Sequence, residues 1–274
     1  MTRLLAMLVL LLTPLSLLLA RRAALDLPRR VDAGGHLVRM RMAGQGSPVV
    51  LFEIGLGGPL EEWAAVQPDV ARFTGTMAYD QLGSDRLTGA LSGGQIAREL
   101  HAALANAQVS PPYVLVGQSF AGIYNRLFAA AYPEEVAGIV LLDPAQERFM
   151  EWMEVHHPEH GLSSIRRDRW PEAAGIEATL DELKSMRPLP DVPVIVVTGA
   201  RRGRDRLRDA LLPVWTDMHR EWVSKLPQGR HVLAEKSGHA IQIDEPDLVV
   251  GLIQEIVEQA RKRTIDQRLR DFHR

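Results

Sequence analysis

The spacing of hydrophobic positions changes period repeatedly along this chain. HLVRMRMAG at 36–44 alternates apolar and polar residues, as a half-buried strand does. After the turn GQGS, the run PVVLFEIG at 48–55 is almost continuously apolar, which suits a central strand covered on both faces. Residues 60–71 read as a helix and 76–79 as a short strand ending at Asp80, followed by a turn punctuated by Gly83. At 94–107 Ile96, Leu100, Ala103 and Leu104 recur on one helical face, and His101 falls one step off it, as a surface histidine would. An apolar run at 113–116 passes through a glycine-containing turn into an alanine-rich helical pattern. Further strands are predicted at 136–143, 193–199 and 231–235, and an amphipathic helix at 248–260. Strands alternating with helices predict an α/β fold, a mostly parallel central sheet with helices on both faces.

Three segments break this rhythm. Residues 4–20 are apolar except for Thr13, Pro14 and Ser16, with Arg3 before them and Arg21 and Arg22 after. At 1.5 Å per residue they make a helix of about 26 Å, the lower limit for crossing a bilayer. The residues ahead of any cleavage point are poorly suited to a signal peptidase, so a membrane anchor is expected, with a secreted or periplasmic product of cleavage as the alternative. More arginines follow the segment than precede it, which favours the cytoplasmic side for the globular part and leaves an exported orientation as the alternative. Between 144 and 190 the sheet pattern stops, and 147–154 and 176–186 read as helices of a small cap. There Phe149, Met150, Trp152 and Met153 serve equally as an apolar acyl pocket or as packing. The division is a hydrophobic segment and linker at 1–30, one domain at 31–262 with a cap at about 146–190, and a charged, solvated tail at 263–274.

Composition narrows the chemistry. At 274 residues and 46% hydrophobic content the chain suits one domain with an insertion. A net charge of −2 without a clustered basic stripe gives no footprint for nucleic acid. With no cysteine, disulfides, thiolate metal ligands and a cysteine nucleophile are excluded. His156, His157 and His160 lie near Glu154 and Glu159, but CxxC and HExxH spacings are lacking, so no metal site is assigned.

The segment that carries chemistry is YVLVGQSFAG at 113–122. Strand, sharp turn and helix place Ser119 where a nucleophile elbow lifts a hydroxyl clear of a sheet, with Gly117 and Ala121 as the small residues on either side. The usual pattern has glycine at the position of Ala121. Gly55-Leu56-Gly57-Gly58 follows a central strand directly, and the backbone amides of Leu56 and Phe120 are the candidates for an oxyanion hole. His239 lies in the loop after the strand at 231–235, where a histidine can act as general base toward a neighbouring elbow. His36, His219, His231 and His273 are not placed this way.

VLVGQSFAGIYNRLFAAAYPEEVAGIVLLDPAQE, with EIGLGG and YDQLGSD upstream and EKSGHAIQIDEPDLV downstream, resembles the α/β-hydrolase superfamily, in particular its small esterase-like serine hydrolases, over about residues 36–262. The resemblance implies Ser119 as nucleophile, Gly55-Leu56-Gly57 as oxyanion loop and His239 as base. Most relatives carry the triad acid shortly after the strand at 193–199, where this chain has arginine and glycine before Asp205. Some take it from the position of Asp143, which is favoured here, with Asp205 as the alternative. The expected function is cleavage of an ester or related acyl substrate, a hydrophobic one, through an acyl-enzyme without a cofactor. A non-catalytic ligand-binding protein of the same fold, or a peptidase, amidase or carbon–carbon bond hydrolase with the same triad, are the alternatives.

Overall fold

The computed structural model describes residues 27–80, 91–161, 171–203 and 206–272. Eight strands form one sheet: β1 (Arg29–Asp32), β2 (Leu37–Ala43), β3 (Val49–Glu53), β4 (Thr76–Asp80), β5 (Tyr113–Gln118), β6 (Val136–Leu142), β7 (Val194–Gly199) and β8 (Gly229–Ala234). Their order is β1-β2-β4-β3-β5-β6-β7-β8; β2 pairs antiparallel with β1 and β4, and every other pairing is parallel. β2 and β3 are neighbours in sequence but not in space, because β4 lies between them.

The continuous apolar runs of the central strands have a two-sided cause. Successive side chains of a strand point to opposite faces. Tyr113, Leu115, Ile139, Leu141, Val194 and Val196 enter the core on one face. Val114, Val116, Val140, Leu142, Ile195 and Val197 enter the core on the other. Each such side chain is worth about 1.5–3 kcal/mol when fully buried, so a polar residue in any of these strands would be felt.

The helices are α1 (Gln67–Val70), α2 (Gly93–Asn106), α3 (Ala121–Ala131), α4 (Glu147–His156), α5 (Ile176–Ser185), α6 (Arg206–Ser224), α7 (Ile241–Asp244) and α8 (Pro246–Phe272). α2 begins with a capping box, in which the Ser92 hydroxyl accepts from Gln95 N–H and the Gln95 side chain accepts from Ser92 N–H. α3, directly after Ser119, is buried along nearly its whole length. Its Arg126 makes two hydrogen bonds to Glu147 of α4, at 2.7 and 2.9 Å, and lies over the Trp222 ring of α6 at 4.6 Å. One buried guanidinium thereby ties the helix behind the serine to two helices that cover the site.

Several local expectations are revised. Residues 60–71 form a 3-10 turn at Leu60–Ala65 and then α1, because Pro68 lacks an N–H and fits only the start of a helix. β1 lies in the stretch read partly as linker; with four residues and only Val31 buried it carries no periodic signal. The tail from 263 is helical as the end of α8 and largely exposed, and Arg263 donates to the carbonyl of Asp191, while Arg261, just before it, donates to those of Ser47 and Phe73. Asp80 is buried and accepts from Leu60 N–H and Arg39, so it fixes the start of the 3-10 turn. His101 stacks on Tyr132, with ring centroids 3.9 Å apart, and meets Glu135 at 3.0 Å. The apolar segment at 4–20 lies outside the described residues, among which no helix is long and apolar enough to cross a membrane.

Candidate active site

Ser119 sits between β5 and α3 with φ of +57°, in the left-handed region that costs an L-residue on the order of 1 kcal/mol. The surroundings hold it there: its N–H donates to Leu142 O at 3.0 Å, and its carbonyl accepts from Gly122 N–H at 3.0 Å and Ala145 N–H at 2.9 Å. Close packing explains the small residues. A methyl on Gly117 would lie 2.9 Å from the Ala121 carbonyl oxygen, and one on Gly122 would lie 2.6 Å from Pro144 Cβ. Ala121 itself is fully buried in the cluster over the elbow, so the departure from glycine there is accommodated by the fold.

The loop after β3 closes on the serine from the other side. Gly55 approaches so near that a methyl on it would lie 2.8 Å from Ser119 Cβ and 3.2 Å from Oγ. The carbonyl of Gly55 accepts from Gly58 N–H at 3.0 Å, and Gly57 has φ of +65°. Leu56 packs against the same cluster as Phe120. Among the described residues neither the Leu56 nor the Phe120 amide donates within the protein, which leaves both N–H groups available at one end of the sheet.

Asp143 follows β6 and, like Ser119, has a positive φ, +42°. Its N–H donates to Val197 O at 2.7 Å. Its Oδ2 lies 2.7 Å from His239 Nδ1, while Oδ1 accepts from Gly199 N–H at 3.1 Å and from Trp215 Nε1–H at 2.9 Å. Arg208 Nη2 stands 3.5 Å from Oδ2. Burial pushes this carboxyl up, but the bond to His239 and the charges and donors around it outweigh burial and hold it below the ordinary aspartate range. Asp205 lies outside the described residues.

The His239 loop is held by two carboxylates of the following turn. Asp244 accepts from Gly238 N–H at 2.8 Å and pairs with Arg201; Glu245 accepts from Lys236 N–H and the Ser237 hydroxyl. On the serine side, Gln118 Nε2 donates to His239 O at 3.1 Å, and Gln242 donates to Glu62 beyond the glycine loop. The imidazole is half exposed while its aspartate partner is buried, 52% against 2%.

Behind the acid lies a chain of hydrogen bonds that the sequence did not reveal. His219 Nε2 is 2.8 Å from Pro144 O, and a carbonyl only accepts, so this nitrogen carries the proton. Burial lowers the His219 pKa and keeps the ring neutral, so Nδ1 accepts from the Thr198 hydroxyl at 2.7 Å. Thr198 Oγ1 then accepts from His231 Nε2–H at 2.8 Å. The chain grips the carbonyl next to Asp143 and helps hold its left-handed backbone. Trp215 and His219 are four residues apart on α6, an ordinary helical spacing that does not mark them as parts of a site.

A cavity of about 320 Å³ opens beside Asp143 and His239. Phe149, Leu207, Leu211, Leu212 and Trp215 supply its apolar wall and Arg208 a charged edge. Of the four cap residues proposed for such a pocket only Phe149 lines it. Met153 is buried, Met150 packs on the elbow cluster, and Trp152 stacks against Phe149 and His156. α6 makes most of the wall. Among the described residues no group of three His, Cys, Asp or Glu side chains is set to hold a metal ion.

This architecture has counterparts among known proteins. Residues 48–171 match the model of the alpha/beta hydrolase fold family. The chain is 28% identical over 212 residues to the uncharacterized protein YqjL of Bacillus subtilis (strain 168), an alignment spanning 75% of this chain and 82% of that one. A thermophilic esterase from Thermogutta terrifontis superposes with a TM-score of 0.63 at 18% identity, covering 86% of this chain and 99% of the esterase. The enol-lactonase from Burkholderia xenovorans LB400 does so with 0.60 at 14%, covering 85% and 100%. The eight-stranded, mostly parallel sheet is that of the alpha/beta hydrolase fold.

Proposed function

We propose that the protein is a serine hydrolase that cleaves an ester or related acyl substrate through an acyl-enzyme. The observation that carries this reading is the 2.7 Å contact between the buried Asp143 carboxylate and His239 Nδ1, next to a serine held at positive φ. With Nδ1–H donated to Asp143, Nε2 is the nitrogen that can take a proton. In this mechanism Ser119 Oγ attacks the acyl carbon as its proton passes to His239 Nε2, and Asp143 fixes the tautomer and stabilises the imidazolium. The amides of Leu56 and Phe120 receive the charge on the substrate oxygen, an interaction that strengthens as the tetrahedral intermediate forms. His239 then returns the proton to the leaving group, and water, activated the same way, releases the acid. The apolar wall of Phe149, Leu207, Leu211, Leu212 and Trp215 supports a hydrophobic substrate moiety.

Labelling by a fluorophosphonate tests the reading. The wild type is expected to react at Ser119, Ser119→Ala and His239→Ala are expected not to, and Asp143→Asn is expected to react far more slowly. A folded wild type that neither labels nor hydrolyses p-nitrophenyl esters would overturn it in favour of a ligand-binding protein on the same fold.

A further inference from the structure

We propose that Glu53 is a positioning residue for the loop bearing the Leu56 amide, locking that loop to β4 and to the helix behind Ser119, and that it works as a carboxylic acid rather than a carboxylate. The inference rests on the serine-hydrolase reading of Ser119. Glu53 is the last residue of β3, immediately before the glycine loop, and is only 5% exposed. Its Oε1 is 2.6 Å from the Tyr79 hydroxyl on β4, and its Oε2 is 2.7 Å from the Asn125 carboxamide on α3. Between Glu53, Gly55–Gly58, Tyr79, Asp80 and Tyr124 lies a small cavity of about 30 Å³, large enough to hold a water molecule. Three elements that must agree on the placing of Leu56 and Phe120 therefore meet at one carboxyl group.

The surroundings favour the uncharged form. Tyr79 on β4 is the titratable group bonded to Glu53; Tyr124 on α3, which lines the same cavity, and Glu99 of α2 act on Tyr79. Asp80, on the wall of the same cavity, is paired with Arg39. Among the described residues no cation contributes to Glu53, and a buried carboxylate without one is costly. Burial pushes its pKa up to about 8 against the pull of the Tyr79 and Asn125 hydrogen bonds.

The hydrogen-bond pattern points the same way. Asn125 Oδ1 is buried and has no partner among the described residues. A methyl on Gly117 would meet Asn125 Oδ1 at 2.6 Å and the Ala121 carbonyl oxygen at 2.9 Å, so two acceptors border one space. Turning the carboxamide over resolves this, because Nδ2 then lies on the side of the carbonyl and Oδ1 faces Glu53. That arrangement requires a proton on Glu53. An uncharged acid here leaves the developing oxyanion unopposed, whereas a carboxylate one strand-end away repels it.

The test is the pH profile of p-nitrophenyl butyrate hydrolysis from pH 6 to 10, read beside thermal melting. In the wild type kcat is expected to fall about fivefold or more as Glu53 ionises on the alkaline side, with KM little changed. Glu53→Gln, uncharged at every pH, is expected to lose that limb. Tyr79→Phe removes a donor to the carboxylate and is expected to move the limb to higher pH. Melting gives a readout independent of turnover. A carboxyl raised by folding contributes stability at low pH that is lost as pH rises to about 8. Wild-type Tm is therefore expected to drop by about 7–14 °C relative to Glu53→Gln between pH 5 and 8. An alkaline limb unmoved in both variants, or no difference in melting, overturns the proposal. If the folded wild type neither labels nor turns over while the melting difference is present, the serine-hydrolase reading fails and the protonated state of Glu53 stands.

Discussion

Asp143 and His239 are 96 positions apart in the chain, yet their side chains meet at 2.7 Å, and the aspartate is gripped on its other oxygen by Gly199 N–H and Trp215. This double hold gives Asp143→Asn a particular signature. The Asn carbonyl can keep the Trp215 and Gly199 donors, so the fold is expected to persist, but its NH₂ then faces Nδ1 and forces the wrong tautomer. A loss in kcat of about 10³–10⁴ with a nearly unchanged melting temperature is expected, measured on a p-nitrophenyl ester.

Gly55→Ala separates the glycine loop's steric role from stability. The new methyl would stand 2.8 Å from Ser119 Cβ and must displace the serine or the loop that carries the Leu56 amide. A misplaced nucleophile costs on the order of 10²-fold in kcat/KM, and this loss is expected alongside a modest melting shift. Unchanged turnover would show that the loop does not serve the serine.

The apolar cavity sets an expectation for chain length. Filling it with Leu211→Trp is expected to raise KM for p-nitrophenyl hexanoate by about tenfold while leaving the acetate nearly unaffected, since each buried methylene is worth about 0.8 kcal/mol. Equal effects on both esters would place the acyl chain elsewhere.

Acid sensitivity follows from the histidines behind the site. Burial, followed by repulsion from His219 and Arg220, lowers the His231 pKa to about 4. Between that value and about 6.5 the unfolded chain binds the proton that the folded chain refuses, so stability falls as pH drops through this window. His219 is shifted in the same direction, chiefly by burial. His231→Gln is expected to recover on the order of 1 kcal/mol at pH 4.5, allowing for the partial exposure of the ring, and to flatten the dependence of melting temperature on pH. An equally steep dependence in the variant would assign the acid sensitivity to other groups.

Much of this architecture is legible in the order of residues because it is periodic or local. Strand runs whose neighbours fall on opposite faces, a helix capped by Ser92 and Gln95, and small residues around Ser119 each have causes within a few positions of the chain. Those local causes specified the parallel sheet, the strand–turn–helix around Ser119 and the glycine loop at 55–58. Other features depended on chain closure. β4 inserts between β2 and β3, and Pro68 divides a stretch whose apolar spacing suits a longer helix. Which aspartate reaches His239 depends on the shared ends of β6, β7 and β8, and no spacing in the sequence encodes that meeting. Trp215, His219, Thr198 and His231 form one network only because α6 packs across the ends of those strands. Glu53, one polar residue at the end of an apolar run, is a buried acid only because Tyr79 and Asn125 arrive from 26 and 72 positions away. Backbone preference and burial pattern act at short range and can be read from sequence. The ionisation and partners of a buried group are set by whatever the fold brings beside it.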